Sequence, residues 1–137
     1  MKIHTTNYFD TFIQVAEDCP VASGEVPPLK GEEKSIATIQ FELISENPYQ
    51  YTSDDILFQC FVLKKSLERD LKGARNQFLS KGQACLRSSP LTKRYGWGIH
   101  FNHEGKIALY GKDSDAYKQF SEDKRLKTTK AMRSKKI

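Results

Sequence analysis

The densest chemistry in the chain lies between Lys81 and Gly98. These eighteen residues hold four cations (Lys81, Arg87, Lys93, Arg94), three small hydroxyls (Ser88, Ser89, Thr92), the aromatics Tyr95 and Trp97, and three glycines. Arg and Lys supply charge for an anion, hydroxyls and Gly-flanked amides donate hydrogen bonds, and an aromatic ring can stack a base. The combination points to a phosphate-bearing small molecule or a nucleic acid, held by Arg87, Ser88, Ser89, Lys93, Arg94, Tyr95 and Trp97. The segment matches neither the phosphate-binding P-loop nor the dinucleotide fingerprint, and no cofactor is implied. The same residues equally describe a loop fastened to the core by Tyr95 and Trp97, with its cations in water.

Other residues suggest rival chemistries. Cys85 lies between Lys81 and Arg87, a setting that favours a thiolate, and His100 or His103 could act as base if the chain folds back onto it. His100, His103 and Glu104 invite a metal reading, although zinc wants three or four converging ligands. Glu32, Glu33, Glu42 and Glu46 could form an acidic helix face for a hard cation. Lys124, Arg125, Lys127, Lys130, Arg133, Lys135 and Lys136 form a basic tail over 124–137, able to add affinity for a polyanion by counterion release.

These residues must be positioned by a modest set of elements. Thr11–Ala16 is β-branched and aromatic and reads as a strand. Residues 19–31 carry three of the five prolines and read as a surface loop. Ile36, Ile39, Leu43 and Ile44 mark one face of a helix that opens at Glu33 and stops at Asn47-Pro48. The apolar run Ile56–Leu63 fits a buried strand or a buried helix by periodicity, and Ser53 as N-cap, with Asp54 and Asp55 suited to a helix's positive end, favours a second helix. Leu67, Leu71, Ala74 and Phe78 mark a third helix, ended by Gly82, with Lys64, Lys65, Arg69, Lys72 and Arg75 on its outer face. Residues 97–101 and 106–110 alternate with period two around Asn102–Gly105, a hairpin with Ile99, Phe101, Ile107 and Leu109 facing the core. A short helix runs from Asp113 to Phe120, capped by Asp113 or Ser114, with Ala116, Tyr117 and Phe120 on one side. The expected class is α+β: one domain over 1–123, with a small antiparallel sheet containing the hairpin at about 95–111, packed by three or four helices.

With 137 residues, 38% hydrophobic and 28% charged, the chain fits one domain with a self-sufficient core. The mean hydropathy is −0.61. No window approaches the ~20 apolar residues of a membrane span, and no signal-peptide hydrophobic region follows Met1. Cys19, Cys60 and Cys85 have no paired spacing and read as free thiols, so the expected compartment is the reducing cytoplasm. The net charge of +5 is polarised. Residues 1–60 carry three basic against ten acidic residues, a net of −7, and residues 61–137 carry 19 against seven, a net of +12. Such asymmetry gives either two electrostatic faces or a basic arm that meets a polyanion.

The sequence resembles an uncharacterised bacterial family of small proteins, a domain of unknown function. The likeness runs through His4–Tyr8, Val15–Pro20, Tyr51–Asp55, Cys85–Gly98, Ala108–Gly111 and Lys130–Lys135. The family carries no assigned activity, so no catalytic residue follows from the resemblance. Separately, Gly105–Gly111 with the helix after it is similar to the hairpin-helix unit of the YdhG-like proteins, small α+β domains some of which are discussed as frataxin-like iron carriers. That resemblance implies the same fold class and an iron-carrying alternative. From the residues themselves the expectation is a binding module for an anionic ligand, with a metal carrier and a Cys85-dependent enzyme as alternatives.

Overall fold

A computed structural model describes residues 3–29, 34–65 and 71–134. Glu32, Glu33, Leu67, Arg69, Lys135 and Lys136, all used in the sequence reading, lie outside the described residues. The element order is β1 (Thr11–Gln14), α1 (Ile36–Glu46), α2 (Ser53–Lys65), α3 (Leu71–Ser80), a 3-10 turn (Leu86–Ser88), α4 (Pro90–Lys93), β2 (Trp97–Phe101), β3 (Ile107–Gly111), α5 (Asp115–Glu122) and β4 (Lys127–Lys130). The class is α+β, with helices around one four-stranded sheet of order β3-β2-β1-β4. No described helix is long and apolar enough to cross a membrane.

β2 and β3 form the hairpin, with Ile99 opposite Leu109 and Phe101 opposite Ile107. Asn102 Oδ1 accepts from the amides of Glu104 and Lys106, and Gly105 takes the positive φ of 80° that the turn requires. β1 adds antiparallel to β2, with Ile13 opposite Ile99. The sheet is mixed, because β4 pairs with β1 in parallel. β4 is drawn from the segment read in sequence as a basic tail. Its Lys and Thr residues give no apolar alternation, so its pairing rests on backbone bonds and charged neighbours.

Strand alternation sorts the side chains between two faces. Ile13, Ile99, Phe101 and Ile107 are fully buried on one face, with Ile39, Ile44, Ile56, Leu86 and Leu91 in the same core. The other face holds Phe12, Gly98, His100 and Tyr110 beneath α5. Phe12 meets Tyr117 edge-on at 5.1 Å and Phe120 at 5.4 Å, and Tyr117 Oη accepts from the Val15 amide at 2.9 Å.

Helix ends differ from the sequence reading in instructive ways. α1 starts after Ser35, whose side chain accepts from Thr38 N, and Asn47 ends it by donating from Nδ2 to Leu43 O. The N-cap of α2 is Thr52 rather than Ser53. Thr52 Oγ1 accepts from Asp55 N while Asp55 Oδ2 accepts from Thr52 N, a reciprocal box that leaves Ser53 fully buried. Ser53 instead shares a 2.8 Å hydrogen bond with Thr6 Oγ1. α3 is closed by side chains, Ser80 Oγ donating to Gln77 O and Gln83 Nε2 to Phe78 O, and not by a left-handed Gly82. Ser114 caps α5.

Candidate binding trough and the Cys85 to Trp97 segment

The polar residues of the 85–97 segment are built into the fold one by one. Ser89 is buried; its Oγ caps α4 by accepting from Leu91 N and donates to Gln40 Oε1 at 2.5 Å. Arg87 Nε donates to Lys130 O, and Arg87 O accepts from Met132 N, which ties the 3-10 turn to the end of β4. Ser88 Oγ lies 3.1 Å from Met132 Sδ. Trp97 Nε1 donates to Glu25 O, its ring lies 5.4 Å from Phe41, and Gly24 sits against its face. Tyr95 packs on the core and its carbonyl accepts from Glu25 N. Lys93 is half-buried at the end of α4, whereas Arg94 is exposed. Arg94 lines a separate cleft of about 330 Å³ with Asp18, Pro20 and Ser134. The seven residues therefore belong to several surfaces. Ser88 and Ser89 line one of them, described next.

A continuous apolar trough runs between α1, α2, α3 and the chain from Gln83 to Pro90. Three adjoining clefts of about 420, 310 and 260 Å³ compose it. The first and second share Phe61, Phe78 and Gln83; the second and third share Ile36, Gln40, Leu57 and Ala84. Lys81 lines one end, Lys64 and Lys65 the middle, and Cys85, Ser88, Ser89 and Pro90 the other end. Among the described residues no Asp or Glu lines it. The trough thus joins largely apolar walls to lysines as the charged groups at its rim among the described residues.

Sequence patterning did not locate this trough. Its floor comes from α2, where Ile56–Leu63 contains one polar residue, Gln59, and so carries more apolar surface than one buried face can use. Leu57 and Phe61 of that run line the trough, and Ile36, which meets them there from α1, remains 47% exposed. That surplus was the available signal.

Those residues of the rival chemistries that the structure describes lie apart from one another. Cys85 Sγ lies 3.6 Å from Tyr8 Oη, and burial together with the neighbouring thiol pushes the Tyr8 hydroxyl above its ordinary range. Among the described residues no histidine hydrogen-bonds this thiol, and His100 lies on the α5 face of the sheet. His103 is exposed beside Glu104, at 3.9 Å. Glu42 pairs with Lys34. Among the described residues no group of three or more His, Cys, Asp and Glu is placed to hold a metal ion. The tail cations Lys130 and Arg133 both pair with Glu17, and Ser134 N donates to both Asp18 carboxylate oxygens.

The class defined by this architecture is a small α+β domain with a surface trough. The chain belongs to a family of unknown function, DUF6157, whose model matches residues 3–137. No curated protein and no solved structure matches it.

Proposed function

We propose that the protein is a binding module for a small anionic ligand with an apolar chain, a carboxylate or phosphate head on an acyl-like tail. The observation that carries this reading is the trough's lining: apolar and aromatic side chains interspersed with Gln40, Gln77 and Gln83, with lysines as its charged groups among the described residues. The tail lies along Phe61, Phe78 and Leu57, and the head sits near Lys64, Lys65 and Lys81. An elongated trough suits a chain better than a compact nucleotide. Ser88 and Ser89 bound the far end.

Calorimetric titration with medium-chain carboxylates and alkyl phosphates tests the reading. Binding should be saturable, and Lys64→Glu/Lys81→Glu should weaken it about tenfold or more, the scale of losing one or two charge-assisted contacts. Cys85 supplies a second readout, since a bound ligand should slow its alkylation. One head group meeting a few lysines should give a shallow salt dependence, whereas a polyanion gives a steep one. Tight oligonucleotide binding that survives Leu57→Trp, which fills the trough, would overturn the reading.

A further inference from the structure

A second cleft, of about 300 Å³, opens at the C-terminal end of α5 on the sheet face away from the trough, lined by Asp10, His100, Phe120, Asp123, Arg125 and Leu126. His100 is its central group. The imidazole stacks on Phe120 at 4.2 Å and 16° and is met edge-on by Tyr49 at 5.7 Å. Its Nδ1 lies 2.8 Å from Tyr49 Oη, which in turn lies 2.7 Å from Tyr110 Oη. Nε2 is the ring's second polar atom and has no hydrogen-bond partner among the described residues.

The charges around it come from each neighbouring element. Asp10 precedes β1, Asp123 caps α5 and Arg125 follows it; Tyr49 comes from the α1–α2 connection and Tyr110 from β3. Asp123 is held by Arg125 through both oxygens, at 3.1 and 3.0 Å. The Asp10 carboxylate has no ion pair or hydrogen bond among the described residues, although it and Asp123 both act electrostatically on His100. With Arg125 offsetting Asp123, the cleft carries the single uncompensated negative charge of Asp10. Asp10 is set there by its backbone: its φ is 47°, its amide donates to Asn102 O and its carbonyl accepts from Lys127 N. Tyr49, with φ of 59°, is the other non-glycine residue of positive φ among those described. Both left-handed positions thus flank the same imidazole.

We propose that this cleft binds a small organic cation, an alkylammonium group, between the Asp10 carboxylate and Nε2 of His100. The tautomer that does so has Nδ1–H donating to Tyr49 and the Tyr49 hydroxyl donating on to Tyr110. Nε2 is then an acceptor for an ammonium N–H. A proton competes for the same lone pair, so binding fades once His100 is protonated. The proposal is independent of the trough.

Ring-nitrogen NMR of the three histidines tests it, with methylammonium as probe and acetate as control. Methylammonium should shift His100 Nε2 saturably, leave His4 and His103 unmoved, and bind more weakly as the pH falls through the titration of His100. Asp10→Asn should weaken binding about tenfold, and Asn tolerates the left-handed backbone there, so a dispersed amide spectrum should persist. Tyr49→Phe should shift the tautomer balance recorded at Nδ1, which a merely space-filling tyrosine would not do. A His100 signal indifferent to methylammonium in the folded protein, or shifted equally by acetate, would overturn the proposal. So would unchanged affinity in Asp10→Asn.

Discussion

Ser89 Oγ lies 2.5 Å from Gln40 Oε1, deep between α1 and α4, and the same hydroxyl accepts the Leu91 amide that begins α4. One small polar side chain thereby satisfies a buried amide oxygen and a helix terminus together. Ser89→Ala removes the cap and leaves Gln40 Oε1 without its donor. The expected loss is about 2–4 kcal/mol, from a cap worth about 1 and an orphaned buried acceptor worth about 1–3. Thermal melts should show a fall of roughly 6–12 °C at this chain length. A loss below about 1 °C would show that water replaces the serine at both contacts.

The tail docks by a similar division of labour. Lys130 and Arg133 pair with Glu17, which holds the Glu17 carboxyl below its ordinary range, chiefly through its hydrogen bonds to Arg133 and Lys130. Ala131 is buried, and its amide donates to Gln14 O while Met132 N donates to Arg87 O. Exposed ion pairs add little to global stability, so the expected effect of Glu17→Gln is local. Hydrogen exchange at Ala131 and Met132 should accelerate while the amides of β2 keep their protection. Equal acceleration across the sheet would show that β4 and the core open as one unit.

How much of this was legible follows from what each element uses to declare itself. The hairpin announced its register through alternation and through Asn102 and Gly105. α1 did so through Ile36, Ile39 and Ile44. β4 gave no such sign, because Lys127–Lys130 is an exposed edge whose partner lies more than a hundred residues away. The trough was hidden for a different reason: Phe61 and Phe78 come from separate helices, and periodicity within one helix says nothing about the space between two. The 85–97 segment is rich in donors, as its composition shows. The Ser89 and Thr92 hydroxyls and the Trp97 indole are spent on a cap, on Gln40 and on backbone carbonyls, a use that composition cannot separate from ligand binding.

Stability should fall on both sides of neutrality. Burial lowers His100 below its ordinary value, an effect larger than the opposing pull of Asp10 and Asp123. The unfolded chain therefore takes up this proton first as pH drops below about 6.5, and stability declines until the folded imidazole also titrates. On the alkaline side, burial pushes the Cys60 thiol up to about 11 from 9.0. The unfolded thiol ionises first, so stability declines as pH rises from 9.0 toward 11, by at most about 1.4 kcal/mol per pH unit. Tyr49, also pushed up by burial, adds to this loss as pH rises beyond about 10.0. Urea midpoints across pH should trace both limbs, and Cys60→Ala should flatten the lower part of the alkaline one. An unchanged alkaline slope in that variant would assign it to the tyrosines instead.

Gly98 sets how closely α5 approaches the sheet. A Cβ at this position would lie 2.6 Å from Phe12 Cζ and 2.7 Å from Tyr117 Cε2, inside any tolerable contact. Neither ring can retreat freely. Phe12 is fully buried between β2 and α5, and Tyr117 is fixed by the hydrogen bond from Val15 N to its hydroxyl. Gly98→Ala should therefore cost about 1–3 kcal/mol through overpacking, with the strain relieved by outward movement of α5. Because Phe120 rides on the same helix, that movement should also disturb its stacking on His100. A chemical-shift change at the His100 ring, together with a lowered melting temperature, is the expected pair of results. Destabilisation with an unmoved His100 signal would mean that the strand yields and the helix does not. Combining Gly98→Ala with Tyr117→Phe separates these responses: freeing the hydroxyl lets the ring shift, and the His100 signal should return toward its original position if the helix was the element displaced.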